Sequence, residues 1–223
     1  MNNLDRRHFL KASTSGLLVV SFPFSELAQA ATPLGLTPAK SVAKDALDTW
    51  LSIDRQNQVT IYVGKVDLGT GTKTALAQIA AEELSVPFHH IHMVMGDTGT
   101  TPDQWITGAA LTIQQGGSEL RVAAASARAA LIARAAQQWQ VPAAQLKVVD
   151  GQVIDTLTPS RQLSYGALIG QGFELKVDPK AMLKPHTDYA VVGRSIPRVD
   201  IPAKVSGEHP YVHDFKLPNM LHA

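Results

Sequence analysis

The residues with chemical potential concentrate between positions 64 and 117. Gly64-Lys65-Val66-Asp67-Leu68-Gly69-Thr70-Gly71 leads into one helical pattern. A second loop rich in glycine and threonine, from Thr98 to Thr107, leads towards another. Helix N-termini carry unpaired N–H groups and partial positive charge, so low-bulk loops before them suit an anion, often a phosphate. The stretch is expected to form one wall of the site of a large phosphorylated cofactor. A bare strand–glycine–helix turn that binds nothing has the same spacing. The two common nucleotide fingerprints fail here. No Lys-Ser/Thr pair enters the helix, and Thr74 stands where the dinucleotide motif needs its third glycine.

Other candidates are weaker. His89 faces away from His90 and His92 if all three lie in a strand, and no carboxylate completes a metal set. Glu82 and Glu83, adjacent on a helix, diverge by about 100° and read as a solvated face rather than an acid/base pair. Asp97, at a strand end, reads as a cap for the following loop. No serine, histidine and acid form a nucleophilic arrangement, so catalytic and metal-ligating residues are expected to be absent from this chain.

These residues need elements to position them. Leu51–Ile53 and Val59–Val63 read as two strands of a hairpin, with Asn57 at the turn because it tolerates positive φ. Thr72 to Leu84 reads as a helix with Leu76, Ile79, Ala80 and Leu84 on one stripe, stopped by Pro87. Ile91–Met95 is the next strand. Ser118 is placed as the N-cap of a long alanine-rich helix to about Gln138, with Leu120, Ala124, Ala127, Leu131 and Ala135 facing a close neighbour. Leu146–Val149 and Gln152–Ile154 form a hairpin through Asp150-Gly151. Ser164 caps a short helix from Tyr165, ended by Gly170. The pattern is α/β (α+β). A domain boundary is set near Asp188, where prolines become frequent, and Met220 to Ala223 reads as the start of a strand.

The N-terminus reads as an address. Asp5-Arg6-Arg7-His8-Phe9-Leu10-Lys11 looks like the twin-arginine export motif. Gly16 to Val20 is an apolar run too short for a bilayer, which needs roughly 20 apolar residues. Ala28-Gln29-Ala30 is a small-x-small cleavage site. No transmembrane span appears, and a periplasmic destination is expected. A net charge of +1 with 17% charged residues argues against nucleic-acid binding. The chain has no cysteine, which excludes disulfides, thiolate nucleophiles and iron–sulfur ligation by its own residues.

Several segments in order resemble the molybdenum hydroxylase (xanthine dehydrogenase/aldehyde oxidase) superfamily: residues 64–71, Ala75 to Ile79, Ala81 to Leu84 and Val94 to Thr98. The branch resembled is the large, molybdopterin-binding subunit of isoquinoline 1-oxidoreductase, nicotinate dehydrogenase and aldehyde oxidoreductase type. Residues 198–223 look like the opening of that family's α/β hammerhead domain. The resemblance implies a signal peptide at 1–30, a linker at 31–44, a molybdopterin-binding segment at 45–187 and an incomplete hammerhead domain at 188–223.

By the same resemblance, such proteins carry molybdenum on molybdopterin, in bacteria usually its cytosine dinucleotide form. They insert water-derived oxygen into a C–H bond of an N-heterocycle or aldehyde, and electrons leave through [2Fe-2S] clusters on a small partner subunit. The implied partners are that iron–sulfur subunit, the remainder of the large subunit and, as electron acceptor, a cytochrome c. The implied cofactor contacts are Leu68, Gly69, Thr70 and Gly71 in the first loop, and Ala109, Ala110, Leu111, Thr112 and Ile113 in the second. Thr70 replaces a common glutamine, Ala110 and Leu111 replace polar residues, and Trp105-Ile106 replaces a glycine-containing pair. The family's catalytic glutamate lies beyond anything present here, so the chain alone is expected to be inactive. A truncated, non-catalytic α/β interaction or assembly module is the other reading.

Overall fold

A computed structural model describes residues 43–169 and 176–221 of the chain. The export motif, the cleavage site, most of the linker, the Gly170 helix end and residues 222–223 lie outside them.

Strand β1 (Leu51–Ile53) pairs antiparallel with β2 (Val59–Val63), Leu51 opposite Ile61. Asn57 makes the turn with φ 66°. Strand β3 (Ile91–Met95) pairs with β2 in parallel, Val59 opposite Ile91 and Val63 opposite Met95. A parallel pair needs a crossover, which helix α1 (Thr72–Leu84) supplies. Every second residue of β2, Val59, Ile61 and Val63, is fully buried, as the period of two in a strand requires. Leu76, Ala80 and Leu84 of α1 are buried with them, and so are Leu120, Ala124, Ala127, Leu131 and Ala135 of α2 (Ser118–Trp139). Small side chains on α2 let it lie close against α1.

A second sheet is antiparallel throughout: β4 (Leu146–Val149), β5 (Gln152–Asp155) and β6 (Gln162–Ser164). Asp150 and Gly151 both have positive φ, 50° and 73°, as their two-residue turn demands. Asn57 ties the two sheets together. Its Nδ2 donates to the Gly151 carbonyl at 3.1 Å, and its Oδ1 accepts from the Gly166 N–H at 3.0 Å. Gly166 belongs to α3 (Tyr165–Ile169), and Ser164 Oγ accepts from Ala167 N–H, so the expected cap is present. Tyr165 is fully buried, donates to the Leu84 carbonyl at 2.8 Å, and has its hydroxyl pKa pushed up by burial.

Three expectations are corrected. Ser118 is not an N-cap: a π-helical turn over Thr112–Gly117 runs straight into α2, and Ser118 Oγ donates back to the Gln114 carbonyl. The wide turn lets the backbone at Gly116 and Gly117 approach Lys65 and Ile79, which a Cβ would meet at 3.1 and 3.0 Å. Glu82 and Glu83 are not a solvated face, for they are 2% and 1% exposed. Met220 and Leu221 form no strand, and the regular elements of the C-terminal stretch are the short helix α4 (Ile201–Ser206) and a 3-10 turn at Val212–Asp214.

Candidate functional site

Both candidate loops leave the carboxyl ends of the parallel strands β2 and β3, where open α/β sheets place their ligands. The first loop already holds an anion. Asp67 Oδ1 accepts from the N–H groups of Gly69 (2.9 Å) and Gly71 (3.1 Å), and Oδ2 from that of Lys73 (3.0 Å). Burial pushes the Asp67 pKa up, but the N–H groups of Lys73, Gly71, Gly69 and Thr70 outweigh it, and the net displacement is downward. Gly69 and Gly71 have φ of 92° and 80°, in the left-handed region that favours glycine. A Cβ at Gly69 would meet nothing within 4 Å, so the turn faces open space there. Leu68 is 70% exposed, and the Thr72 hydroxyl oxygen beside the turn is buried with no partner among the described residues.

A later segment reaches back to this turn. Arg198 donates to the Gly69 carbonyl at 3.0 Å and pairs with Asp200 through two bonds of 3.0 and 2.6 Å. Lys204 adds a 2.6 Å bond to the same Asp200, whose pKa is held well below the carboxylate range by Arg198 first and Lys204 second. Val199 N–H donates to Thr74 Oγ1.

The second loop is fixed from beneath. Lys65 is fully buried, and its Nζ donates to the carbonyls of Gln104 (2.5 Å) and Ile106 (2.7 Å). Gln104, 1% exposed, accepts from Gly64 N–H at 3.0 Å and donates to Glu119 at 2.7 Å. Thr107 Oγ1 accepts from Val66 N–H, tying the two loops together. Above these anchors the backbone is strained: Trp105, Ala109 and Ala110 have φ of 62°, 50° and 58°, a conformation costly for residues with a Cβ and concentrated at ligand clamps. Trp105 and Ile106 are exposed, as are Ala109, Ala110 and Ile113, while Leu111 is half-buried and Thr112 buried. Beside Ile113 opens a cleft of about 370 Å³, lined by Ile79, Gln114, Gly117, Arg121, Tyr189 and Val192 among others.

Residues 26–201 match the molybdopterin cofactor-binding domain family. The chain belongs to that family. Among curated proteins it is similar to a subunit of nicotinate dehydrogenase from Pseudomonas putida, 42% identical over 97% of this chain and 18% of the relative. It is also similar to the beta subunit of isoquinoline 1-oxidoreductase from Brevundimonas diminuta, 28% identical over 99% of this chain and 33% of the relative. The chain thus spans no more than a third of these relatives' length. A solved structure of reconstituted CO dehydrogenase from Oligotropha carboxidovorans shares the fold, with TM-score 0.51 and 19% identity over 79% of this chain and 25% of that one. The domain is that of molybdenum hydroxylase large subunits, here a mixed α/β portion with two small sheets.

The features present suit a molybdopterin. Open space at Gly69, an orphaned hydroxyl at Thr72 and a strained, exposed second loop leave room and polar groups for a large anionic molecule. Among the described residues no cluster of three or more His, Asp or Glu side chains could hold a metal ion, and His89 and His92 are exposed with His90 half-buried. Asp97 caps its loop as expected, accepting from the Gly99 N–H at 2.8 Å and, through its carbonyl, from Thr101.

Behind the site of this molybdopterin-binding domain, Glu82 and Glu83 anchor the segment that follows residue 176. Glu82 Oε2 accepts from three consecutive N–H groups, Ala190, Val191 and Val192, at 2.6–3.0 Å, and Oε1 from Lys184 Nζ at 2.9 Å. Burial raises the Glu82 pKa, but Lys184 and the Val191 and Val192 N–H groups more than offset this, and the net shift is downward. Glu83 pairs with Arg121 at 2.7 Å and Arg128 at 3.2 Å, and accepts from Lys184 N–H. Sequence reasoning missed both roles, and it missed Lys65 and Arg198. Lys65 carried a signal: it continues the inward series Val59, Ile61, Val63 by one more step of two. Arg198 carried none, because its partner Gly69 lies 129 residues away.

Proposed function

We propose that this chain is the N-terminal part of the large subunit of a periplasmic molybdenum hydroxylase, and that it supplies one wall of the molybdopterin site. The carrying observation is the family match over residues 26–201, joined to two loops that open at the carboxyl ends of β2 and β3. When bound, the molybdenum centre supplies hydroxylation of a C–H bond with oxygen from water and accepts the two electrons released. The chain's part is to bind and orient. Leu68, Gly69, Thr70 and Gly71 border one side of the cofactor, and Ala109, Ala110, Leu111, Thr112 and Ile113 the other.

The substrate class is an N-heterocycle or aldehyde, and the names of the nicotinate and isoquinoline relatives support the former. The cofactor is the cytosine dinucleotide form. A small subunit with [2Fe-2S] clusters takes the electrons, with a cytochrome c as final acceptor, consistent with a chain that has no cysteine. Residues 1–30 direct export, 31–44 link, 45–187 form the cofactor-domain segment, and 188–223 open an α/β hammerhead domain. The test is to purify the chain alone and assembled with the remaining large-subunit sequence and an iron–sulfur subunit. The assembly is expected to contain molybdenum and to hydroxylate nicotinate or isoquinoline with oxygen from labelled water. Stoichiometric molybdenum on the chain alone, or none in the assembly, contradicts the reading.

A further inference from the structure

The Gly69–Thr70 peptide is held at both ends by charge. Its carbonyl accepts from Arg198 Nη1 at 3.0 Å. Across a trans peptide the N–H points the other way, and that of Thr70 joins those of Lys73, Gly71 and Gly69 in lowering the Asp67 pKa. Glycines stand at 69 and 71, both with positive φ, and a residue without a Cβ restrains its backbone little. The two charges, rather than the glycines, therefore fix how exposed Leu68, Gly69 and Thr70 are presented. Arg198 is itself aimed. Its Nε and Nη2 bind the two oxygens of Asp200 at 3.0 and 2.6 Å, a two-point pairing that fixes the guanidinium plane. Lys204 of α4 holds the same carboxylate at 2.6 Å. The Arg198 stem lies against the turn, for a Cβ at Gly71 would meet its Cδ at 3.1 Å. Val199 N–H, bound to Thr74 Oγ1, seats the same segment on the first turn of α1. Arg198 also offsets charge. Asp67 is an anion inside a turn that would face an anionic cofactor, and the Arg198 pKa is raised, first by the hydrogen bond to Asp200 and in smaller part by the charge of Asp67.

We propose that Arg198 is a positioning residue of the molybdopterin site: it fixes the Gly69–Thr70 peptide from outside the loop, so that cofactor loading depends on residues 198–204 seating on the turn. This rests on reading the two loops as a molybdopterin site. Arg198 acts through the Gly69 carbonyl, and the first wall of the site is finished by a residue 129 positions downstream.

The test combines amide hydrogen exchange of the whole 223-residue chain with the molybdopterin content of the assembled enzyme. In Arg198→Met, exchange at residues 69–71 is expected to rise about tenfold or more while that of β2 stays at the wild-type rate, and the assembly should lose most of its molybdopterin. Arg198→Lys keeps the charge but lacks the planar fork that serves Asp200 and Gly69 together, so it should recover part of the molybdopterin. Asp200→Asn alters neither the turn nor Arg198 itself, and it should raise exchange at 69–71 in the same direction by unfixing the guanidinium. Unchanged exchange at 69–71 in Arg198→Met or in Asp200→Asn overturns the proposal. So does wild-type molybdopterin content in Arg198→Met, or no recovery with lysine. A rise shared by β2 marks a general loss of fold and overturns a positioning role. The exchange arm needs no cofactor. An empty wild-type assembly would sink the molybdenum hydroxylase reading, whereas a loaded wild type with an equally loaded Arg198→Met sinks only the role of Arg198.

Discussion

Glycines in the first loop differ in what a side chain would meet. A Cβ at Gly64 would run into the Pro102 carbonyl oxygen and sit 3.1 Å from the Gln104 nitrogen. Gly64→Ala should push the second loop off its anchors and cost roughly 2 kcal/mol or more, read as a lower denaturant midpoint. Gly69 has space but a φ of 92°. Gly69→Ala should cost only about 1–2 kcal/mol of left-handed strain, and an equal or larger loss than at Gly64 would contradict this picture. The buried carboxylates give a contrasting case. Glu82→Gln keeps the shape and removes the charge that meets Lys184 and three N–H groups. Breaking a buried pair from one side costs about 3 kcal/mol, which for a domain of this size lowers Tm by roughly 6–12 °C. A fall of under a degree would show that the pair carries no stability.

At the scale of elements, residues 176–200 form a strap held onto α1 and α2 by polar anchors, and its residues help line two clefts, Tyr189 and Val192 in one and Met182 to Pro185 in the other. Its pH response follows from the sign of the shift. Glu82 has a folded-state pKa below its ordinary value, so its contribution is present above the ordinary carboxylate pKa and disappears as pH falls through the lowered one. Hydrogen exchange should therefore show residues 184–192 opening in acid before β2 does, and simultaneous opening would refute the anchor. Much of the element layer was legible. The stripes of α1 and α2, the β1–β2 pairing and the Asp150-Gly151 turn depend on neighbours within a few residues, and local periodicity reports them. Glu82 and Glu83 were misread because their partners lie 38 to 110 residues away, beyond any periodicity. Ser118 was misread because its side chain suits a cap, while the packing of Gly116 and Gly117 against Lys65 and Ile79 extends the helix past it. In the candidate site, the glycine turn was visible as a pattern. That its donors are already taken by Asp67 was not, since the same residues could as well leave them open.

At the scale of the whole molecule, the proposed export signal precedes one portion of a cofactor domain. Arg6-Arg7→Lys-Lys should retain the protein in the cytoplasm, checked by fractionation, and undiminished periplasmic recovery would refute that route. Among the described residues no helix is long and apolar enough to cross a membrane. The central claim is that the two loops form a wall of a molybdopterin site completed by sequence outside this chain. It is tested most directly by the molybdenum content of the assembled enzyme carrying Gly69→Val. A valine there projects into space that no protein atom occupies within 4 Å of the added Cβ. The expected result is an assembly that still forms but has lost most of its molybdenum. An assembly with wild-type molybdenum content would contradict the claim.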